Sequence, residues 1–158
     1  MSGGYWFSIR DGDPRGRAMF LRHYSSTATA RGKRDARGNA ARFIGPGEKL
    51  ILMTADCLAL FAWRKEAYRL DDQTGVNNPI FRNEGPIQSS DLIREACELA
   101  WRKWPGERLF TFVDAGAIQS SNPGWCFIQA GWTRLKDRTK THGHRILEIL
   151  PDAMELAS

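Results

Sequence analysis

Cysteine is scarce in this 158-residue chain: there are three, Cys57, Cys97 and Cys126, widely spaced and odd in number. A disulfide framework is therefore not expected, and because each cysteine lies in an apolar run, the expectation is buried thiols in a reducing compartment. Long hydrophobic runs are also missing. No stretch nears the roughly 20 apolar residues that a membrane helix needs, so no membrane partner is expected. The opening residues, MSGGYWFSIRDGD, turn polar before an apolar leader core could form. These absences lead to the expectation of a soluble cytoplasmic protein. Internal repeats and low-complexity linkers are lacking too, and the length suits one compact domain, expected to span residues 1–158.

What is abundant is positive charge, and it is segregated. The net charge is +5, yet residues 10–42 carry nine Lys or Arg against three Asp, and residues 134–145 carry five against one, so the rest of the chain is acidic. Localised basicity suits a polyanion, whose neutralised phosphates release counterions. Arg outnumbers Lys in the first segment, and Arg makes bidentate contacts to phosphate. Nucleic acid is the partner this predicts, and a solvated basic loop is the bland alternative. The candidate contacts are Arg22, Arg31, Lys33, Arg34, Arg37 and Arg42, most of them in a polar Gly/Ala-rich loop at about 26–42.

The apolar pattern predicts alternating strands and helices. YWFSIR reads as a strand, DGDPRG as a turn, and AMFLRHYSS as a helical turn or two. KLILMTADCLALFAWRK reads as an antiparallel hairpin turning at Ala55-Asp56, and YRLDDQTGVNN as a loop. IFRNEG then forms a short strand. In SSDLIREACELAWRKW, Leu92, Ile93, Ala96, Leu99, Ala100 and Trp104 recur at helical spacing, with Ser89 or Ser90 as cap and Asp91 in the first turn. This predicts a central helix at about 90–104, stopped at Pro105-Gly106. LFTFVDA reads as a buried strand ending in Asp114. A short helix is expected from Asn122-Pro123 to Ala130, followed by two strands joined by a basic turn. The sum is an α/β fold with a sheet of about six or seven strands flanked by helices.

NPGWCFIQAGW resembles the closing segment of GNAT-fold acyltransferases, where a small helix carries an aromatic near the acyl donor. With RHYSS, FIGPGEKLILMT, IFRNEG, SSDLIREA and TFVDA, the chain resembles the phage Mom-like branch of that superfamily over roughly residues 20–135. The resemblance implies a GNAT-like mixed, mostly antiparallel sheet. It also implies a transferase that adds a carbamoylmethyl group to the exocyclic amine of adenine in phage DNA, with double-stranded DNA as its partner, working in the host cytoplasm and protecting that DNA from restriction. One departure stands out. Where such acyltransferases hold the pyrophosphate of acetyl-CoA on a Gly-rich turn, this chain has NEGPIQSSDL, with one glycine and a proline that lacks a donor.

Candidate catalytic residues are His23, Tyr24 and Asp114. An imidazole titrates near neutrality, a phenol can donate or accept a hydrogen bond, and a carboxylate at a strand end can accept one from an amine. On the resemblance, HYS matches the family's N-terminal motif. If His23 and Asp114 converge, they would suit iron(II) as a metal pair. Arg82, Asn83, Ser89, Ser90 and Phe127 are the candidate cofactor-binding residues for acetyl-CoA or another acyl-type donor, with a salt bridge and ordinary helix caps as the alternative. Trp125 is a further cleft candidate. His142 and His144 read as exposed turn residues. Two other functions stay open: an acetyl-CoA-dependent acetyltransferase of a protein or small amine, and a non-enzymatic DNA-binding module. The oligomeric state is also open, a homodimer included.

Overall fold

The computed structural model describes residues 4–22, 43–66, 73–113, 124–139 and 143–151. Their elements follow the order β1 (Trp6–Ile9), α1 (Pro14–Arg22), β2 (Glu48–Thr54), β3 (Ala59–Lys65), β4 (Val76–Asn83), α2 (Ser89–Lys103), β5 (Leu109–Val113), α3 (Trp125–Gln129), β6 (Thr133–Arg138) and β7 (Arg145–Ile149). All seven strands join one sheet in the order β1-β2-β3-β4-β5-β7-β6. Only β4 and β5 pair in parallel. The expected mixed, mostly antiparallel α/β fold is what forms.

Helices cover both faces because strand side chains alternate between them. Trp6, Leu52, Phe61, Trp63, Val76, Leu109, Val113 and Leu147 join Leu92, Ile93, Ala96, Cys97 and Ala100 of α2 and Phe127 of α3 in one core. Ile51, Met53, Leu60, Ala62 and Ile80 meet Met19 of α1 in a second, smaller core on the opposite face. Each large apolar side chain fully buried this way contributes roughly 1.5–3 kcal/mol. The indole N–H groups of Trp6 and Trp63 donate to the α2 carbonyls of Leu92 and Ala96 at 2.8 and 2.9 Å, so these bulky rings bury without stranding a donor.

Two glycines set close approaches. A Cβ on Gly16 of α1 would sit 2.6 Å from the end of the Ile9 side chain, so glycine lets α1 lie this low on the sheet without displacing Ile9. Gly75 has φ 112°, and a Cβ there would fall 2.2 Å from the Arg108 carbonyl oxygen. That contact lets Val76 N–H donate to Arg108 at 2.8 Å and starts the parallel pair.

Several boundaries differ from the sequence reading. The helix expected within AMFLRHYSS begins earlier, at Pro14. Asp13 caps it, its carboxylate accepting Arg15 N–H at 2.9 Å, and proline suits the first helical position because its missing N–H would have no partner there. VNN, expected in a loop, is the start of β4, with Asn77 and Asn78 buried. The short helix expected from residue 122 is assigned from Trp125; residues 122 and 123 lie outside the described residues.

Candidate active-site cleft

The parallel ladder between β4 and β5 is short: Val76, Asn77 and Asn78 pair with Leu109, Phe110 and Thr111, and pairing stops there. Next in β4 comes Pro79, which has no N–H to give a neighbouring strand. The register against β3 slips at the same point: between the pairs Asn77–Arg64 and Ile80–Ala62, two residues of β4 (Asn78 and Pro79) stand opposite one of β3 (Trp63). This is a β-bulge, and it reverses which residues face which core.

Polar side chains fill the break. Asn78 Nδ2 donates to the carbonyls of Ala62 and Ile80 at 2.8 and 2.7 Å, and the Thr111 hydroxyl donates to Asn78 O and Oδ1 at 2.9 and 3.1 Å. Past this buried cluster β4 runs on to Asn83 and β5 to Val113 with no ladder between them. The ladder ends there, so the C-terminal ends of β4 and β5 frame the candidate cleft, with Asn78 and Thr111 at its base.

On the α2 side, Phe81 meets Phe127 edge-on with ring centroids 5.9 Å apart. Asn83 Nδ2 donates to Ile87 O at 2.7 Å and Ser89 Oγ at 3.0 Å, and its Oδ1 accepts Gly85 N–H at 3.0 Å. The Asn83 amide therefore folds the loop ahead of α2 around itself.

On the α1 side, Glu84 is the hub. Its carboxylate accepts Nε and Nη2 of Arg22, both at 3.0 Å, and Nε of Arg82. Arg82 Nη1 also donates to the Arg22 carbonyl at 2.9 Å. The hydrogen bonds from Arg22, then Arg82, hold the Glu84 carboxyl down at about 2.

This geometry corrects several expectations. Arg82 does not work with Ser89 and Ser90: after the bulge, alternation turns Arg82 to the α1 face while Asn83 faces α2. Neither serine caps α2. Gln88 occupies that position without a side-chain bond, and Ser89 is the first helical residue, its hydroxyl taken by Asn83. Ser90 is buried. Phe127 belongs to the aromatic core with Phe61, Phe81 and Trp132, whereas Trp125 is half exposed. Arg22 is engaged by Glu84.

The acetyl-CoA expectation can be tested at the same loop. Glu84 N–H donates to Leu58 O, Gly85 N–H to Asn83, and Pro86 has none. Two backbone donors are thus engaged and the third position carries none, so residues 84–86 offer a pyrophosphate no free amide. No family model, curated protein or solved structure matches this chain.

His23, Tyr24, Asp114, Arg31, Lys33, Arg34, Arg37, Arg42 and His142 lie outside the described residues, and so does the His23–Asp114 metal pair. Among the described residues, no three His, Cys, Asp or Glu side chains are grouped to hold a metal, and no helix is long and apolar enough to cross a membrane. His144 sits in the β6–β7 turn, its N–H donating to Thr139 Oγ1 at 2.9 Å. All three cysteines are free thiols, but only Cys97 is fully buried. Burial pushes its thiol up to about 12, which removes it as a neutral-pH nucleophile. Cys57 and Cys126 are half-buried because they stand at the ends of apolar segments, in a turn and a short helix.

A groove of about 680 Å³ lies away from the cleft, lined by Arg10, Asp11, Gly47 and Lys49 among others. Its opposite charges satisfy each other, Lys49 Nζ donating to Asp11 Oδ2 at 3.0 Å.

Proposed function

We propose that this chain is a DNA-modifying transferase of the Mom-like type, acting on the exocyclic amine of adenine. The observation that carries the reading is the parting of β4 and β5. Arg22, the residue before His23, is pinned to the C-terminal end of β4 through Glu84 and Arg82, and Val113, the residue before Asp114, ends β5. The two chain segments that lead into the candidate catalytic residues thus end on neighbouring parallel strands. The element order β4, α2, β5, α3, β6 agrees with the order the resemblance requires.

In this reading the target adenine is flipped out of the duplex, at a cost of a few kcal/mol that phosphate contacts offset. Asp114 accepts a hydrogen bond from the amine, and Tyr24 orients the base; as the amine nitrogen bonds to the donor's methylene carbon, the bond from that carbon to the donor's leaving group breaks, the leaving group departs with the electron pair, and His23 takes the proton the amine loses. The donor carries a glycinamide-like two-carbon unit. The withdrawn amides at residues 84–86 favour a donor other than acetyl-CoA, which weighs against the acetyltransferase alternative.

The test is a variant series in cells expressing the chain, with DNA digested to nucleosides and analysed by mass spectrometry. Asp114→Asn and His23→Gln should abolish the modified adenosine, and Tyr24→Phe should reduce it. Modification that survives all three changes would remove these residues from the mechanism. A melting temperature raised by acetyl-CoA would favour the acetyltransferase instead.

A further inference from the structure

The second basic segment, residues 134–145, forms the outer hairpin of the sheet, with β6 as the edge strand. Register sets its charges in a row. Val113 on β5 stands directly opposite Arg145 on β7, and Arg145 directly opposite Arg138 on β6. Residues directly opposite share one face, and neighbouring strands lie about 4.8 Å apart. The row therefore leads outward from the last residue of β5, at the mouth of the cleft, across two arginines to the free edge. Arg138 and Lys136 are exposed. Among the described residues, none of Lys136, Arg138 and Arg145 has an ion-pair partner.

Directly opposed like charges repel, and a hairpin built only for stability would avoid them. A bound anion turns that repulsion into attraction. Two guanidinium forks on adjacent strands suit successive phosphates, since each fork can take two oxygens. We propose that Arg145 and Arg138, with Lys136 beside them, are a phosphate-binding row that holds the backbone of duplex DNA next to the β4–β5 cleft. This rests on the reading of DNA as the substrate and supplies that reading with a second grip, separate from residues 31–42.

The experiment measures binding of the full chain to a labelled 20-base-pair duplex by fluorescence anisotropy over a series of salt concentrations. It compares the wild type with R138Q/R145Q and R138K/R145K, each checked by thermal melting. Each phosphate contact contributes about 0.9 to the log–log salt slope. R138Q/R145Q should therefore lose about 1.8 of slope and melt no lower than wild type, while R138K/R145K keeps most of the slope. An unchanged slope in R138Q/R145Q, equal losses in both variants, or wild type that binds duplex without salt dependence would each overturn the proposal. So would a loss confined to phosphatidylserine vesicles with DNA binding intact. Nucleoside mass spectrometry on the same variants separates the two readings. Lost slope with no modified adenosine even in wild type supports the row and overturns the transferase. Unchanged slope with modified adenosine present does the reverse.

Discussion

Glu84 and Asp11 show how single carboxylates position the chain around the basic segment. Glu84 takes Arg22 at the end of α1, just before residue 23, and Arg82 near the end of β4. Asp11 receives Phe43 N–H at 2.7 Å, Ile44 N–H at 3.1 Å, Gly45 N–H at 3.0 Å and the Lys49 ammonium, just after residue 42. Burial pushes the Asp11 carboxyl up, but the Ile44 and Gly45 amides, Lys49 and Phe43 together outweigh it and bring it below its usual value. Both folded-state values are lowered, so the stability these groups contribute is fully present above the unfolded carboxylate range near 4–4.5 and is lost as pH falls toward the folded values. Melting curves from pH 6 to 2.5 should show wild type losing stability below about pH 4.5 more steeply than Glu84→Gln. Parallel curves would contradict the Glu84 assignment. At pH 7, Asp11→Ala should cost roughly 1.5–3 kcal/mol, typical of hydrogen bonds to a charged group, measured as a lower urea midpoint at unchanged m-value.

The bulge at Pro79 is the element on which the cleft depends. Thr111→Val keeps the side-chain shape but removes the only donor that Thr111 gives to Asn78, leaving Asn78 Oδ1 buried without that partner. The expected cost is about 1–3 kcal/mol, again read from urea unfolding. A neutral outcome would mean that water satisfies Asn78 and that the cluster does not fix the break. Most elements were legible in the sequence because their apolar spacing is strong: the β2–β3 hairpin, α2 and β5 all lie where period and punctuation put them. VNNP was misread because Asn and Pro carry turn chemistry locally, and only the neighbouring strands, through Ala62 and Thr111, supply the partners that let them sit in a sheet interior. The same bulge explains why Arg82 and Ser89, close in sequence, stand on opposite faces. No local signal announces a one-residue register slip. Asp13-Pro14 reads as a turn in DGDPRG although it caps α1, since turns and helix starts both favour that pair.

At the scale of the whole molecule, the proposed function gives positive charge and the parted strands one task. Among the described residues the sheet has one parallel pair, whose ladder stops short of the strands' C-terminal ends, and a row of arginines runs from the end of β5 to the β6 edge. Charge reversal of Arg31, Lys33, Arg34 and Arg37 should likewise cut DNA affinity and flatten its salt dependence, in the same anisotropy assay, beyond what R138Q/R145Q alone removes. The central claim is that this chain alters adenine in DNA. It is tested most directly by the mass of deoxyadenosine recovered from DNA of cells that express the chain. The account predicts a new species in which one hydrogen of the exocyclic amine is replaced by a carbamoylmethyl group, absent from cells expressing Asp114→Asn. Unmodified deoxyadenosine alone, from cells in which the folded protein is abundant and binds DNA, would contradict it.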